Sequence, residues 1–303
     1  MIYGIDIGGT KIETALFDGA FDKRQSWRVT TPTVAYDAFL NTIVEQVKKA
    51  DLICQLKGII GIGMPGLIDY NEHSLSANIP CANGRNIRAD LQVRLNRPIF
   101  IENDCRCFAL SEAVGGAGNG FKRVYGAIIG TGAAGGLCIN GAIDTGRNGI
   151  LGEYGHIAMP AFLQQKYGLQ SHICGCGMTD CMEWYVAGPG LSRIYQHMHQ
   201  QSPDAIEINR QFQLNDLQAI DVFACYMDLL GYTFASIIHS HDPDIIVIGG
   251  GISKVDHIIN NLPGAIKPYT FRDVVLPSIV KAQFGDASGA RGAAILAKSS
   301  TQH

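Results

Sequence analysis

The sequence predicts an α/β protein made of two copies of one fold, and three observations carry that expectation. Glycine, 36 of 303 residues, clusters directly after short apolar runs and is not scattered as in a linker. An apolar run, a tight glycine turn and a second apolar run occur at residues 2–18 (IYGIDIGGTKIETALFD) and again at 124–140 (VYGAIIGTGAAGGLCIN). The length exceeds the roughly 100 to 200 residues of a single domain, which suggests two domains sharing a cleft. Residues 115–120 (GGAGNG) are the expected hinge, because glycine tolerates the dihedral changes a joint requires. Residues 1–118 then form an N-terminal domain and 119–287 a C-terminal domain, with a helix near 288–301 packing back on the first.

In the first hairpin Ile12, Thr14 and Leu16 alternate with Glu13 and Ala15, the period of a strand. Tyr36, Phe39, Leu40, Ile43 and Val47 fall at helical spacing, so residues 36–49 form an amphipathic helix with a core face. Strands are expected at 58–63 and at 98–102, the second running directly into Asn103 and Asp104. Ligands in open α/β sheets bind beyond the carboxyl ends of strands, which suits Asp104 to chemistry. The helical stretch CRCFALSEAV that follows equally suits Asp104 as an N-cap, worth about 1 kcal/mol. Residues 216–240 read as a long helix, DPDIIVIGGG as a turn, buried strand and three glycines, and GDASGARGAAILAK as a glycine-rich loop and helix. Glycine turns therefore recur at Gly8 and Gly9, Gly130 and Gly132, Gly249 to Gly251, and Gly289. Backbone N–H groups without a neighbouring Cβ approach phosphate oxygens closely. Neither a P-loop nor a dinucleotide-binding GxGxxG with its helix and acidic partner is present.

Charged residues make up 17% and hydrophobic ones 47%, with a net charge of −3, which argues against a nucleic-acid or membrane-surface binder. The opening MIYGIDIGGTK enters a strand at once, and no uninterrupted apolar run reaches about 18 residues. A soluble cytoplasmic protein acting on small molecules is the expectation, with a homodimer left open. In a reducing compartment Cys54, Cys81, Cys105, Cys107, Cys138 and Cys225 are expected as small core residues.

The other three cysteines carry a stronger signal. Between Gly152 and Glu183 lie His156, Cys174, Cys176 and Cys181, three thiolates and one imidazole. Such a set satisfies a tetrahedral Zn2+ completely and reads as a closed, structural site. A disulfide is the bland alternative, but Cys174 and Cys176 are too close in sequence to bridge without strain, and a third thiol would be left over. Glu153 and Glu183 flank the set, so a knot here would gather both carboxylates.

DIGGTK at 6–11, END at 102–104, IGTGAAGG at 129–136, GEYGH at 152–156, the CGCGMTDC run and DPDIIVIGGG together resemble the sugar kinases of the ROK family, over essentially the whole chain. The resemblance implies two ribonuclease-H-like domains of the actin and hexokinase type with an inter-domain cleft. It implies transfer of phosphate from ATP with Mg2+ to an N-acetylated hexose, N-acetylglucosamine foremost, with N-acetylmannosamine or glucose as the alternatives. Asp104 would be the catalytic base, and Asn78, Asn103, Asp104, Glu153, His156 and Glu183 would hold the sugar. ATP would lie against Gly4, Ile5, Asp6, Ile7, Gly8, Gly9, Thr10 and Lys11, with Asp6 near the Mg2+. It would also meet Gly130, Thr131, Gly132, Ala133, Ala134, Gly135, Gly136 and Leu137, while Gly249 and Gly250 lie beside the nucleoside. Sugar-responsive repressors of the same family carry an N-terminal helix-turn-helix, for which no room is expected here, since the first glycine turn begins within ten residues of Met1.

Two positions depart from the family pattern. Asp-Ala-Asn is replaced by Asp104, Cys105 and Arg106, and Arg106 is expected to point to solvent. Ala134 stands where glycine is common, and its methyl is expected to narrow the second phosphate turn. Loss of the zinc knot is expected to weaken sugar binding and to leave ATP binding nearly unchanged, since the phosphate turns lie elsewhere in the chain.

Overall fold

The structure is a computed structural model that describes residues 1–301. The chain divides into two compact units, one of Met1–Gly126, Gly136–Gly152 and the segment from Gln283 onward, the other of Ala127–Gly135 and Glu153–Ala282.

The first sheet holds β1 (Ile2–Ile7), β2 (Lys11–Phe17) and β3 (Lys23–Thr30) as an antiparallel meander. After α1 (Tyr36–Cys54) the chain adds β4 (Ile59–Met64) parallel to β1. A small hairpin of β5 (Leu67–Ile68) and β6 (Ser74–Leu75) and helix α2 (Ile87–Leu95) lead to β7 (Ile99–Asn103), parallel to β4, and then to α3 (Asp104–Ala113). The strand order is β3-β2-β1-β4-β7. One face of this sheet packs Tyr3, Ile5, Ile7, Ile60 and Ile62 against Phe39, Leu40, Ile43 and Val47 of α1 and Leu91 of α2, the helical face read from the sequence.

The second sheet comprises β8 (Arg123–Ile129), β9 (Ala133–Ile139), β10 (Ala142–Asp144), β11 (Ile245–Gly249) and β12 (Ser278–Lys281), in the order β10-β9-β8-β11-β12. Numbered from its own first strand, each sheet runs 3-2-1-4-5, which is the duplication foreshadowed by the paired glycine hairpins. The division between units falls within β8 and within β9. The second unit carries α4 (Ala161–Tyr167), α5 (Glu183–Val186), α6 (Gly190–His199), α7 (Ala205–Gln213), α8 (Leu217–His241) and α9 (Asp256–Ile266). Helix α8 is long and apolar enough to cross a bilayer, but 72% of its most apolar window is buried in protein, so it is a core helix. Asp216 caps it by accepting the Ala219 N–H.

The last helix, α10 (Ser288–Ser300), covers the other face of the first sheet with Ala290, Ala294 and Ala297 against Ile2, Ala15 and Phe17. Its backbone comes so close that a methyl group on Gly4 or Gly61 would lie 1.9 Å from the Ala290 carbonyl oxygen or 1.8 Å from that of Ala293. Gly289, expected at a glycine turn, lies in the first turn of α10, where a methyl would meet the Asp6 carboxylate at 2.6 Å. Close packing, not turn geometry, selects glycine there. Of the six cysteines assigned to the core, Cys105, Cys107, Cys138 and Cys225 are buried, whereas Cys54 and Cys81 are only half-buried.

Candidate functional site

In the first unit β1 and β2 join through a turn closed by the Gly8 N–H donating to the Lys11 carbonyl at 2.8 Å. Thr31, just past β3, braces this turn by donating its hydroxyl to the Gly8 carbonyl at 2.7 Å and its N–H to that of Thr10. Thr10 and Lys11 at the tip are exposed, and the backbone and Cβ of Asn78 lie against Gly9. Gly4 is covered by α10, and Ile5 and Ile7 are fully buried in the core. Asp6, the polar residue among them, has its carboxyl raised to about 7 by burial first and by the charge of Asp104 second. The Asp104 carboxyl is raised too, by burial.

Asn103, not Asp104, caps α3. Its Oδ1 accepts the N–H groups of Cys105 at 2.9 Å and Arg106 at 3.2 Å, while its Nδ2 donates to the Gly66 carbonyl. Asp104 is thereby the first helical residue, and its Oδ1 accepts its neighbour's N–H at 2.9 Å. The capping asparagine releases the aspartate for other work. Arg106 does not point to solvent. It is 3% exposed, and its Nη1 donates to Glu102 Oε1 at 2.9 Å while Nε and Nη2 reach the Leu151 carbonyl and Nη2 the Gly149 carbonyl. A guanidinium whose donors are satisfied by a carboxylate and two carbonyls gains nothing by turning outward.

In the second unit the Gly130 N–H donates to the Gly132 carbonyl at 2.9 Å and leaves Thr131 exposed at the tip of the turn. Ala134 lies in β9, beyond that closing bond, so its methyl does not narrow the turn. Three separate segments grip the turn. Glu183 Oε2 accepts the Ala133 N–H at 2.9 Å, the Gly188 N–H donates to the Gly130 carbonyl at 2.7 Å, and Gly155 lies so close to the Ala133 carbonyl that a methyl would approach it to 2.2 Å. Gly250, just past β11, packs equally tightly on the Ile129 carbonyl and the Gly130 nitrogen. Gly135, Gly136 and Leu137 continue β9, Leu137 being buried.

His156, Cys174, Cys176 and Cys181 present donor atoms that all lie within 4.8 Å of one another. Local pairing brings them there. The Cys174 N–H bonds to the Met178 carbonyl, the Gly177 N–H to that of Cys174, and Ala158 pairs with Cys181 across an antiparallel bridge. The Cys176 and Cys181 sulfurs are 3.6 Å apart, too far for a disulfide, and Cys174 Sγ is 3.7 Å from His156 Nδ1. A tetrahedron with bonds of about 2.3 Å has edges of about 3.8 Å, so the donor set fits a zinc ion in type and in spacing. His156 Nε2 faces the Glu153 carboxylate at 3.8 Å, leaving Nδ1 to the thiols. The Asp180 carboxylate closes the loop by accepting the His172 N–H, which holds it below the usual carboxylate range.

Spacing could reveal Asp104 and the four metal-type donors, but it could not reveal Thr31, Gly188 or the inward Arg106, whose partners come from distant segments.

Two sheets of identical 3-2-1-4-5 order, each opened by a glycine hairpin, define the ribonuclease-H-like class of the actin and hexokinase type. The chain belongs to the ROK family, whose model matches residues 2–300. It is 47% identical to N-acetylgalactosamine kinase AgaK of Shewanella sp. (strain ANA-3), over 98% of this chain and 96% of that one. It is 41% identical to the N-acetyl-D-glucosamine kinase of Escherichia coli (strain K12), over 98% of this chain and 99% of that one. Among solved structures, the ROK hexokinase from Thermus thermophilus superimposes with a TM-score of 0.88 at 29% identity, covering 99% of both chains.

Proposed function

We propose that the protein transfers the γ-phosphoryl group of ATP to the 6-hydroxyl of an N-acetylated hexose, with N-acetylglucosamine as the leading acceptor. The observation that carries this reading is Asp104, a shielded carboxyl at the end of β7 that Asn103 relieves of capping, in a chain at least 40% identical to N-acetylhexosamine kinases over nearly its whole length. Asp104 accepts the proton of the attacking hydroxyl, and the exposed tips at Thr10 and Thr131 face the phosphates. Asn78, Glu153, His156 and Glu183 hold sugar hydroxyls, and Asn103 contributes its one remaining amide N–H. Gly249 and Gly250 border the nucleoside. Asp6 is the residue suited to the Mg2+ that accompanies ATP, which when bound offsets the phosphate charge and favours the ionised form of this raised carboxyl.

The sulfur and imidazole set holds a structural zinc ion through His156 Nδ1, Cys174, Cys176 and Cys181. With Nδ1 committed, His156 Nε2 donates outward, toward the sugar and Glu153. The cytoplasm, where ATP is plentiful, is the compartment in which this chemistry operates.

The 47% identity to an N-acetylgalactosamine kinase favours a second reading, in which the acceptor is the C4 epimer. A coupled assay of ADP release with N-acetylglucosamine, N-acetylgalactosamine, N-acetylmannosamine and glucose decides among them, with NMR of the product locating the phosphate. Turnover with either of the first two at C6 is expected. ADP release no faster than without sugar, for all four, would reject a kinase.

A further inference from the structure

We propose that Arg106 is a positioning residue for the acceptor side, a role that this chain's departure from the Asp-Ala-Asn pattern creates. The inference rests on the reading of Asp104 as base and Glu153 as a sugar ligand. Four contacts carry it. Arg106 Nη1 donates to Glu102 Oε1 at 2.9 Å, and the same oxygen accepts the Asn103 N–H at 2.8 Å. One carboxylate oxygen thus ties the guanidinium to the backbone that places Asn103 and Asp104. On its other side the guanidinium holds the carbonyls of Gly149 and Leu151. Leu151 is two residues before Glu153, so the segment that delivers this ligand starts from an anchor on the helix that begins with Asp104.

That segment needs an anchor. Gly149 has φ +64° and Gly152 φ +103°, backbone that side chains other than glycine rarely adopt, and residues 145–148 and Ile150 are exposed. Its own apolar burial is therefore slight, and carbonyl bonds from a buried, forked donor supply the constraint. The planar fork reaches two carbonyls and a carboxylate together, which the single ammonium of lysine does not reproduce. A shorter asparagine at 106 leaves Glu102 without its cation and both carbonyls without their donor.

The test compares Arg106→Asn and Arg106→Lys with the wild type in steady-state kinetics and in tryptic cleavage after Arg147, which is exposed within this segment. For Arg106→Asn the sugar KM is expected to rise roughly 10- to 100-fold, as small misplacements of a binding group do, while the ATP KM changes less than about twofold. Cleavage after Arg147 is expected to accelerate. Arg106→Lys keeps a cation beside Glu102 and is expected to restore thermal stability but neither the sugar KM nor the protection of Arg147. If lysine restores all three, Arg106 is only a counter-charge and the proposal fails. It fails equally if sugar and ATP KM rise together, or if asparagine leaves the sugar KM unchanged. Should Arg106→Asn not fold, the pair Glu102→Gln with Arg106→Asn removes the unpaired carboxylate and is measured in its place, against the same two expectations. Absence of kinase activity in the wild type would refute the functional reading, while faster Arg147 cleavage in the variants would still support the anchoring and unchanged cleavage would overturn it.

Discussion

Glu183 Oε2 accepts the Ala133 N–H at 2.9 Å, so a residue two places beyond Cys181 closes the base of the Gly130–Gly132 turn. The sequence separates these elements by 50 residues, and on that ground loss of the zinc knot is expected to spare ATP. The hydrogen bond reverses the expectation. Removing zinc with a chelator, or replacing Cys176 with serine, should let Glu183 drift and cost the Ala133 N–H its acceptor. A net hydrogen bond of about 1 kcal/mol corresponds to a roughly fivefold loss of nucleotide affinity, added to a loss of sugar affinity. Calorimetry of each ligand on protein whose metal content and circular dichroism are measured alongside tests this. Unchanged nucleotide affinity in folded, zinc-free protein would disconnect the knot from the turn.

Asp104→Asn preserves shape and leaves the cap untouched, because Asn103 provides it. Turnover should fall by roughly 10² to 10⁴, the range for loss of a general base, with sugar binding largely retained. Near-wild-type turnover in a steady-state assay would remove Asp104 from the mechanism.

The Asp6 carboxyl titrates near 7 in the fold against 3.8 as its ordinary value, so the folded state favours the protonated form. The folded protein binds more protons than the unfolded chain between those values, and stability is lost as pH rises through that window. Asp6→Asn should accordingly melt higher than the wild type at pH 8 without nucleotide or metal, and the two should converge below about pH 4. Melting curves across that range check the sign, and a variant that is less stable at pH 8 would contradict it.

Gly61→Ala places a methyl 1.8 Å from the Ala293 carbonyl oxygen, and α10 must retreat from the sheet to admit it. Overpacking of this kind costs about 1 to 3 kcal/mol, a fall in Tm of roughly 1.5 to 5 °C for a chain of this size. Gly264→Ala in α9 meets nothing within 4 Å and should leave Tm equal or higher, because alanine favours a helix. Equal effects of the two substitutions would show that the approach of α10 is not tight.

What the sequence determined by itself was local. Alternation in Ile12 to Leu16, helical spacing from Tyr36 to Val47 and the repeated glycine hairpins report on residues within a few positions of one another, where periodicity and turn chemistry act directly. The four zinc-type donors were legible for the same reason, since three lie within eight residues and their identity alone limits the metal. Tertiary structure decided which side chains met partners far along the chain. It turned Arg106 inward to carbonyls 43 and 45 residues away, gave the cap to Asn103 so that Asp104 was left over, and set Gly289 against Asp6 inside a helix. It also laid Glu183 on the Gly130–Gly132 turn. Each of these depends on satisfying polar groups or filling space between segments brought together only by burial of the sheets, and no window of sequence contains both partners.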